Sequence, residues 1–212
     1  MNATSGRRQR SDGERSRAAI LREAAQLATV EGIEGLSIGR LAREVGMSKS
    51  GLIAHFGSKQ ELQLATIEKA SAIFNEQVVE PALAEPTGLG RLEALAERFL
   101  GHVEDRVFPG GCFFASVAME MDTHPGPVRD EALRFAEEWG RLLEAAARDA
   151  QSDGALDEAE DAEQLAFELD AYLLLANAQF VAGGEKAALD RARRAIRSRL
   201  GAAGPRLATA GS

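Results

Sequence analysis

Side chains able to do covalent or metal chemistry are few in this chain, and they are scattered. Cys112 is the only cysteine, and the histidines are His55, His102 and His124. Cys112 follows Gly110-Gly111, where a helix start would favour a thiolate. With His102 and His124 it is the one candidate for a redox- or metal-responsive site. No C-x-x-C, H-x-x-x-H or Ser/His/Asp pattern accompanies it, so a small buried thiol is the simpler reading. No catalytic residue, metal ligand or cofactor is assigned, and the chain is read as a non-enzyme.

A denser constellation occupies residues 46–59, "GMSKSGLIAHFGSK". Its chemistry is non-covalent. Ser48, Lys49, Ser50 and Gly51 place hydroxyls, one cation and a bare backbone at the start of a short helix. Helix N-termini attract phosphate, and a helix of this size fits the major groove of DNA, about 12 Å wide. Leu52, Ile53 and Phe56 form the expected rear face that packs the helix onto its supports.

The elements that must hold this piece are legible from caps and glycines. A first helix is expected from about Asp12 or Glu14 to Glu31, with Ile20, Leu21, Ala24, Ala25 and Ala28 as its buried stripe and Gly32 as its stop. Ser37 can cap a second helix over Ile38–Val45, which Gly46 ends. Ser48 can cap a third helix from Lys49 to about Phe56, and Gly57 ends that one. Ser58-Lys59-Gln60-Glu61 reads as a capping box opening a long fourth helix that stops before Pro81. Breaks at residues 86–90, 108–111, 124–127, 152–154 and 183–184 mark off five further helices, roughly 88–106, 111–122, 127–151, 158–182 and 185–200. The expected fold is all-α with about nine helices. Residues 1–12 and 201–212 are expected to be disordered.

Charge divides the chain. Residues 1–60 hold ten Lys/Arg against six Asp/Glu, while the remainder holds 15 against 27. A basic head on an acidic body suggests polyanion binding by the head alone. Residues 1–19 lack the apolar core of a signal peptide. The apolar-leaning run 171–182 falls short of the roughly 18 residues of a membrane span. With a single cysteine, a cytoplasmic protein without membrane contact is expected.

The stretch "LSIGRLAREVGMSKSGLIAHFGSKQEL", residues 36–62, resembles the tetracycline-repressor (TetR) family of bacterial transcriptional regulators. It has a capped helix, Ala-x-x-x-Gly, Ser-Lys-x-x-Leu, a His-Phe pair, then Lys and Glu opening the long helix. The resemblance implies a helix-turn-helix DNA-binding domain over residues 13–60 and a helical effector-binding and dimerisation domain over 61–200. It implies a sequence-specific regulator, a repressor, that binds a near-palindromic operator as a homodimer and is released by a small-molecule effector. The implied DNA contacts are Ser37, Arg40, Ser48, Lys49, Ser50, Gly51, His55 and Lys59. Arg7, Arg8 and Arg10 read either as an arm into the minor groove or, as is more often the case, as a solvated charge run. One departure stands out: the family usually has Tyr after the Leu of the recognition helix, and this chain has Ile53.

By the same resemblance the acidic body binds the effector in its core and dimerises through its last two long helices. Leu165, Leu169, Tyr172, Leu173 and Ala176 give the first of these an apolar face. The last opposes Ala192, Ala195, Ile196 and Leu200 to a run of arginines, read as solvated, salt-bridged or a second anionic contact. The pocket candidates are Phe99, His102, Phe113, Phe114, Val117, Met121, Phe135, Trp139 and Phe167, each of which also reads as plain core. Two other functions stay open: the Cys112-based sensor, and a helical adaptor that has lost DNA binding.

Overall fold

The computed structural model describes residues 3–205, with side chains from Gly13 onward. Among the described residues every regular element is helical. They are α1 (Ala3–Glu31), α2 (Ile38–Glu44), α3 (Lys49–Phe56), α4 (Lys59–Phe74), α5 (Glu80–Leu83), α6 (Gly88–Glu104), α7 (Phe113–Met121), α8 (Pro127–Ser152), α9 (Ala162–Gly183) and α10 (Ala187–Ala202). A π-helical turn, Asn75–Val79, joins α4 to α5 without a break. The described residues thus form nine separate rods.

Three expectations about element ends are corrected. The first helix begins at Ala3, not near Asp12. Arg and Gln are good helix formers, and extending a formed helix costs far less than nucleating one. Met1, Asn2 and the side chains expected to form a basic arm, Arg7, Arg8 and Arg10, lie outside the described residues. The long fourth helix does not stop before Pro81. Proline has no N–H to donate to the carbonyl four residues back and crowds it, and the wider π turn upstream leaves room for the ring. At the other end Gly201 and Ala202 are still helical, and Ala203 is buried, its carbonyl accepting from Asp157 N at 2.8 Å. Residues 206–212 lie outside the described residues.

The chain forms two compact units. The first takes the chain up to Ile73 together with Phe108–Leu133, and the second takes Phe74–Val107 together with the chain from Arg134 onward. In the first, α1, α2 and α3 enclose a core of Ile20, Leu21, Ala24, Leu36, Leu41, Ala42, Leu52, Phe56, Leu62 and Ala65. In the second, α6, α9 and α10 pack together through Leu92, Leu95, Phe99, Leu165, Leu169, Leu173, Leu189 and Ile196. The packed face of α10 is the expected one. Of its arginines, Arg193 bonds Glu97, Glu104 and Asp190, and Arg199 bonds Glu160 and Glu168. Hydrogen bonds from Lys186 and then Arg193 lower the Glu104 pKa, and hydrogen bonds from Gln164 and then Arg199 lower that of Glu168.

The segment 162–183 passes the length and composition test for a membrane span, contrary to the reading of residues 171–182 alone. Within the second unit Leu165, Leu169, Leu173 and Phe180 of this helix are buried in helix packing, while Phe167, Leu175 and Val181 are exposed. Two of its three charged residues are bonded to neighbouring helices, Glu168 to Arg199 and Asp170 to Trp139 Nε1 at 2.9 Å.

Candidate nucleic-acid interface

The helix that presents the polar cluster is α3, and its ends are set locally. Ser48 is extended (φ −74°, ψ 152°) and its Oγ accepts from Gly51 N at 3.0 Å. That bond satisfies one of the N–H groups the first turn would otherwise leave open. Gly46, at φ +65°, makes the turn between α2 and α3, and Met47 N donates to Ala42 O at 2.8 Å. The helix closes with Gly57 N on Ile53 O at 2.7 Å. Leu52 and Phe56 are buried and anchor α3 to the core, and the Arg17 guanidinium lies 4.9 Å over the Phe56 ring.

With those two side chains turned in, the other face is open. Ser48, Lys49, Ser50, Ile53 and Ala54 are exposed, and Gly51 and His55 are half-buried. Ser48 Oγ and Ser50 Oγ stand 3.2 Å apart, so the two hydroxyls form one polar edge. The small Gly51 leaves the Ser48 cap undisturbed, since a Cβ there would come within 3.1 Å of Ser48 Oγ. His55 packs its ring 6.2 Å from that of Phe56.

Not every expected contact residue stands ready in the same way. Ser37 occupies the N-cap position of α2 but its hydroxyl makes no capping bond. Arg40 is ion-paired to Glu31 and Glu44. Lys59 donates to Glu34 O at 2.5 Å and pairs with the Glu34 carboxylate, which fastens the start of α4 to the α1–α2 turn. The Lys59 and Arg40 charges are thus partly spent inside the head. Ile53 is the clearest correction. It is not on the packed face but 44% exposed, beside Ser50 and Ala54. Arg43, not among the expected contacts, is exposed in the last turn of α2. Its place one turn beyond Arg40 on the same helix was the available signal.

The pocket candidates do not come together as one set. Phe113, Phe114, Val117 and Met121 are buried on α7, in the first unit, where Phe113 meets Phe108 and Phe114. Phe99, His102, Phe135 and Trp139 converge in the second unit around Phe74, whose ring stands 5.3 to 6.2 Å from each. Burial lowers the His102 pKa to about 4, against a smaller opposing pull from Asp105, and its Nδ1 lies 3.1 Å from Gln77 Oε1. Burial raises the Asp170 pKa, while the bond from Trp139 lowers it. Phe167 is corrected: it is 69% exposed and lines no core cavity. A cavity of about 760 Å³ opens in the second unit, lined by Gln77, Ala94, Arg98, His102 and Asp105 among others. Only His102 of the expected residues borders it. Cys112 is buried, and among the described residues no group of three or more His, Cys, Asp and Glu could hold a metal ion. That geometry does not favour the sensor reading.

A capped, polar-faced short helix held on two others by its apolar residues, in a chain that also forms a second helical unit, defines a helix-turn-helix regulator class. The comparisons agree. Residues 20–66 match the family model described as bacterial regulatory proteins, tetR family, and residues 88–196 match the tetracyclin repressor-like C-terminal domain. The chain belongs to the tetR family of bacterial transcriptional regulators.

Among curated proteins it is 30% identical over 133 residues to the HTH-type transcriptional regulator TcmR of Streptomyces glaucescens, a match that covers 60% of this chain and 57% of that one. A solved TetR transcriptional regulator of Chloroflexus aurantiacus superposes with a TM-score of 0.84 at 22% identity, covering 90% of this chain and 96% of that one. The structure of AibR in complex with isovaleryl coenzyme A and operator DNA superposes with a TM-score of 0.71 at 24% identity, covering 86% and 97%.

Proposed function

We propose that the chain is a one-component repressor that binds a near-palindromic operator as a homodimer and lets go when a small molecule occupies its second unit. The observation that carries the DNA-binding part is the presentation of α3: Leu52 and Phe56 are buried while Ser48, Lys49 and Ser50 stand exposed at its first turn. Such a helix enters a major groove with its N-terminal residues at the base edges.

Dimerisation is supported by α9, which leaves Phe167, Leu175 and Val181 exposed. Isolated large apolar side chains on a surface are ordinary, but three on one helix suit a self-complementary contact. Two heads would then read half-sites about 34 Å apart. The effector part is supported by the cavity beside His102, whose volume falls in the usual range of small-molecule sites, about 300–1,000 Å³. A coenzyme A thioester bound by AibR shows that such a fold can serve both ligands. The regulator would act in the cytoplasm, where its DNA is.

The test is selection of bound duplexes from random-sequence DNA by the purified full-length chain, followed by titration of the selected duplex at several salt concentrations. A palindromic consensus and a log–log affinity slope of several units are expected, since each phosphate contact releases about 0.9 of a counterion. No enriched sequence and no salt dependence would leave a helical adaptor.

A further inference from the structure

The turn between α1 and α2 carries one bond of its own, Leu36 N to Ile33 O at 3.3 Å, and is otherwise held from α7 and α4. Glu120, on α7, accepts from the backbone N–H groups of Ile33 and Glu34 at 2.7 and 2.9 Å. The carbonyls of the same two residues are taken from α4: Gln63 Nε2 donates to Ile33 O at 2.8 Å and Lys59 Nζ to Glu34 O at 2.5 Å. One peptide pair is thus gripped on its donor side by α7 and on its acceptor side by α4. Ile33 is fully buried and Gln63 nearly so. Removing Glu120 takes the partner from the Ile33 N–H at a part-buried position, whereas the Glu34 N–H is exposed to water.

Two glycines show how closely α7 and the loop before it fit this turn. At Gly32 (φ +81°) a Cβ would stand 2.5 Å from Glu120 Oε1 and 2.9 Å from its Oε2. At Gly110 a Cβ would stand 1.9 Å from the carbonyl oxygen of Thr29, and Gly110 N donates to Thr29 Oγ1 at 3.1 Å. The segment from Gly110 to Glu120 therefore clasps the end of α1 at two points. Glu120 lies far from the exposed edge of α3 in sequence, and α2 begins only four residues after Glu34.

We infer that Glu120 is a positioning residue for DNA recognition: its carboxylate fixes the turn from which α2 and α3 are hung, and so sets the aim of α3. It touches the Ile33 and Glu34 amides and needs no contact with DNA. Loss of the clamp shifts α3 relative to the rest of its unit. Contacts that depend on register against base edges weaken, while those that need only charge near phosphate persist.

The inference rests on the DNA-binding reading, and the test separates the two. Glu120→Ala and Glu120→Gln chains are titrated against the duplex selected with the wild-type chain and against a mixed-sequence duplex of equal length. Thermal unfolding is followed in parallel. For Glu120→Ala, affinity for the selected duplex falls about tenfold, the worth of one well-placed base contact. Its salt slope and its binding to mixed-sequence DNA stay as in the wild type. Glu120→Gln keeps one acceptor oxygen but turns its NH2 toward the other amide N–H, so its affinity for the selected duplex falls between those of the wild type and the Ala chain. Amide exchange at Ile33 and Glu34 is faster in the Ala chain. Equal losses on both duplexes tracking a lower unfolding temperature, or no loss at all in a folded Ala chain, overturn the inference. A wild-type chain that selects no duplex sinks the DNA reading instead. Should the Ala chain not fold, Glu120→Asp, too short to span both amides, takes its place: a loss confined to the selected duplex supports the clamp, and equal losses or none overturn it.

Discussion

The side chain of Lys49 lies back across the first turn of α2, against Gly39. A Cβ at Gly39 would stand 2.8 Å from Lys49 Cε and 3.2 Å from Nζ. The first residue of the groove helix therefore rests on the helix before it, and Gly39 is the space it rests in. Arg40 and Lys59 are engaged by carboxylates, whereas the charge of Lys49 remains available to a phosphate.

Replacing Lys49 by Ala is expected to weaken binding to the selected duplex and to lower the salt slope by about one. Gly39→Ala tests the relationship from the other side. Alanine is the better helix former by roughly 0.5–1 kcal/mol, so the head should become no less stable. Affinity should nonetheless fall, because the new methyl displaces Lys49. In a chain that already carries Lys49→Ala, the Gly39 change should cost nothing further. Additive losses in that double-mutant cycle would mean the two residues act separately.

Ile53 supports a different prediction. An exposed branched apolar side chain on the groove face has no phosphate to bond, but it suits the C5-methyl of thymine. Ile53→Ala is expected to reduce affinity for the selected duplex several-fold, about 1 kcal/mol, and to leave the salt slope alone. The decisive comparison replaces individual thymines of the selected duplex with deoxyuridine, which lacks only that methyl. One position should lose affinity with the wild-type chain and lose nothing with Ile53→Ala. If every uridine-substituted duplex binds the wild type as before, Ile53 reads no methyl.

These residues also mark what local pattern could and could not reveal. The bounds of α3 were legible because Ser48 and Gly57 punctuate it within a few residues, and both do what their types allow. The orientation of Ile53 was not, because eight residues are too short for apolar spacing to tell positions 52 and 53 apart. Pro81 misled because the cost of a proline was judged without the π turn that absorbs it. The role of Glu120 was invisible for a plainer reason: its two partners lie 86 and 87 residues away in the chain. Phe74, at the centre of the aromatic cluster, escaped the pocket candidates because long-range packing alone decides which rings meet.

His102 makes stability depend on pH. Its pKa falls from 6.5 to about 4 on folding, chiefly because burial penalises the imidazolium. The unfolded chain therefore binds more protons than the folded one across that window, and stability is lost as pH drops from above 6.5 towards 4. The full effect is at most about 3 kcal/mol. Asp170, whose pKa burial raises, contributes with the opposite sign, its share being lost as pH rises. The His102 part is isolated by difference: in urea unfolding between about pH 4 and pH 8 the wild type should lose stability relative to His102→Gln as pH falls. A constant gap at every pH would show that His102 does not titrate in this window.

Phe167 and Leu175 test the dimer. They lie eight residues apart on α9, 69% and 59% exposed, about two helical turns from one another on one side. Burying a Phe or Leu side chain contributes roughly 1.5–3 kcal/mol, and a two-fold contact counts each residue twice. Phe167→Asp should therefore shift the monomer–dimer equilibrium by about a hundredfold or more, because a carboxylate would be carried into apolar surroundings on both copies. Sedimentation velocity reads the mass directly. The same variant should bind the selected palindrome far more weakly, since two half-sites held by one dimer gain from effective concentration, while a duplex bearing a single half-site should be bound as by the wild type. A Phe167→Asp chain that sediments like the wild type would place the dimer contact away from this face of α9.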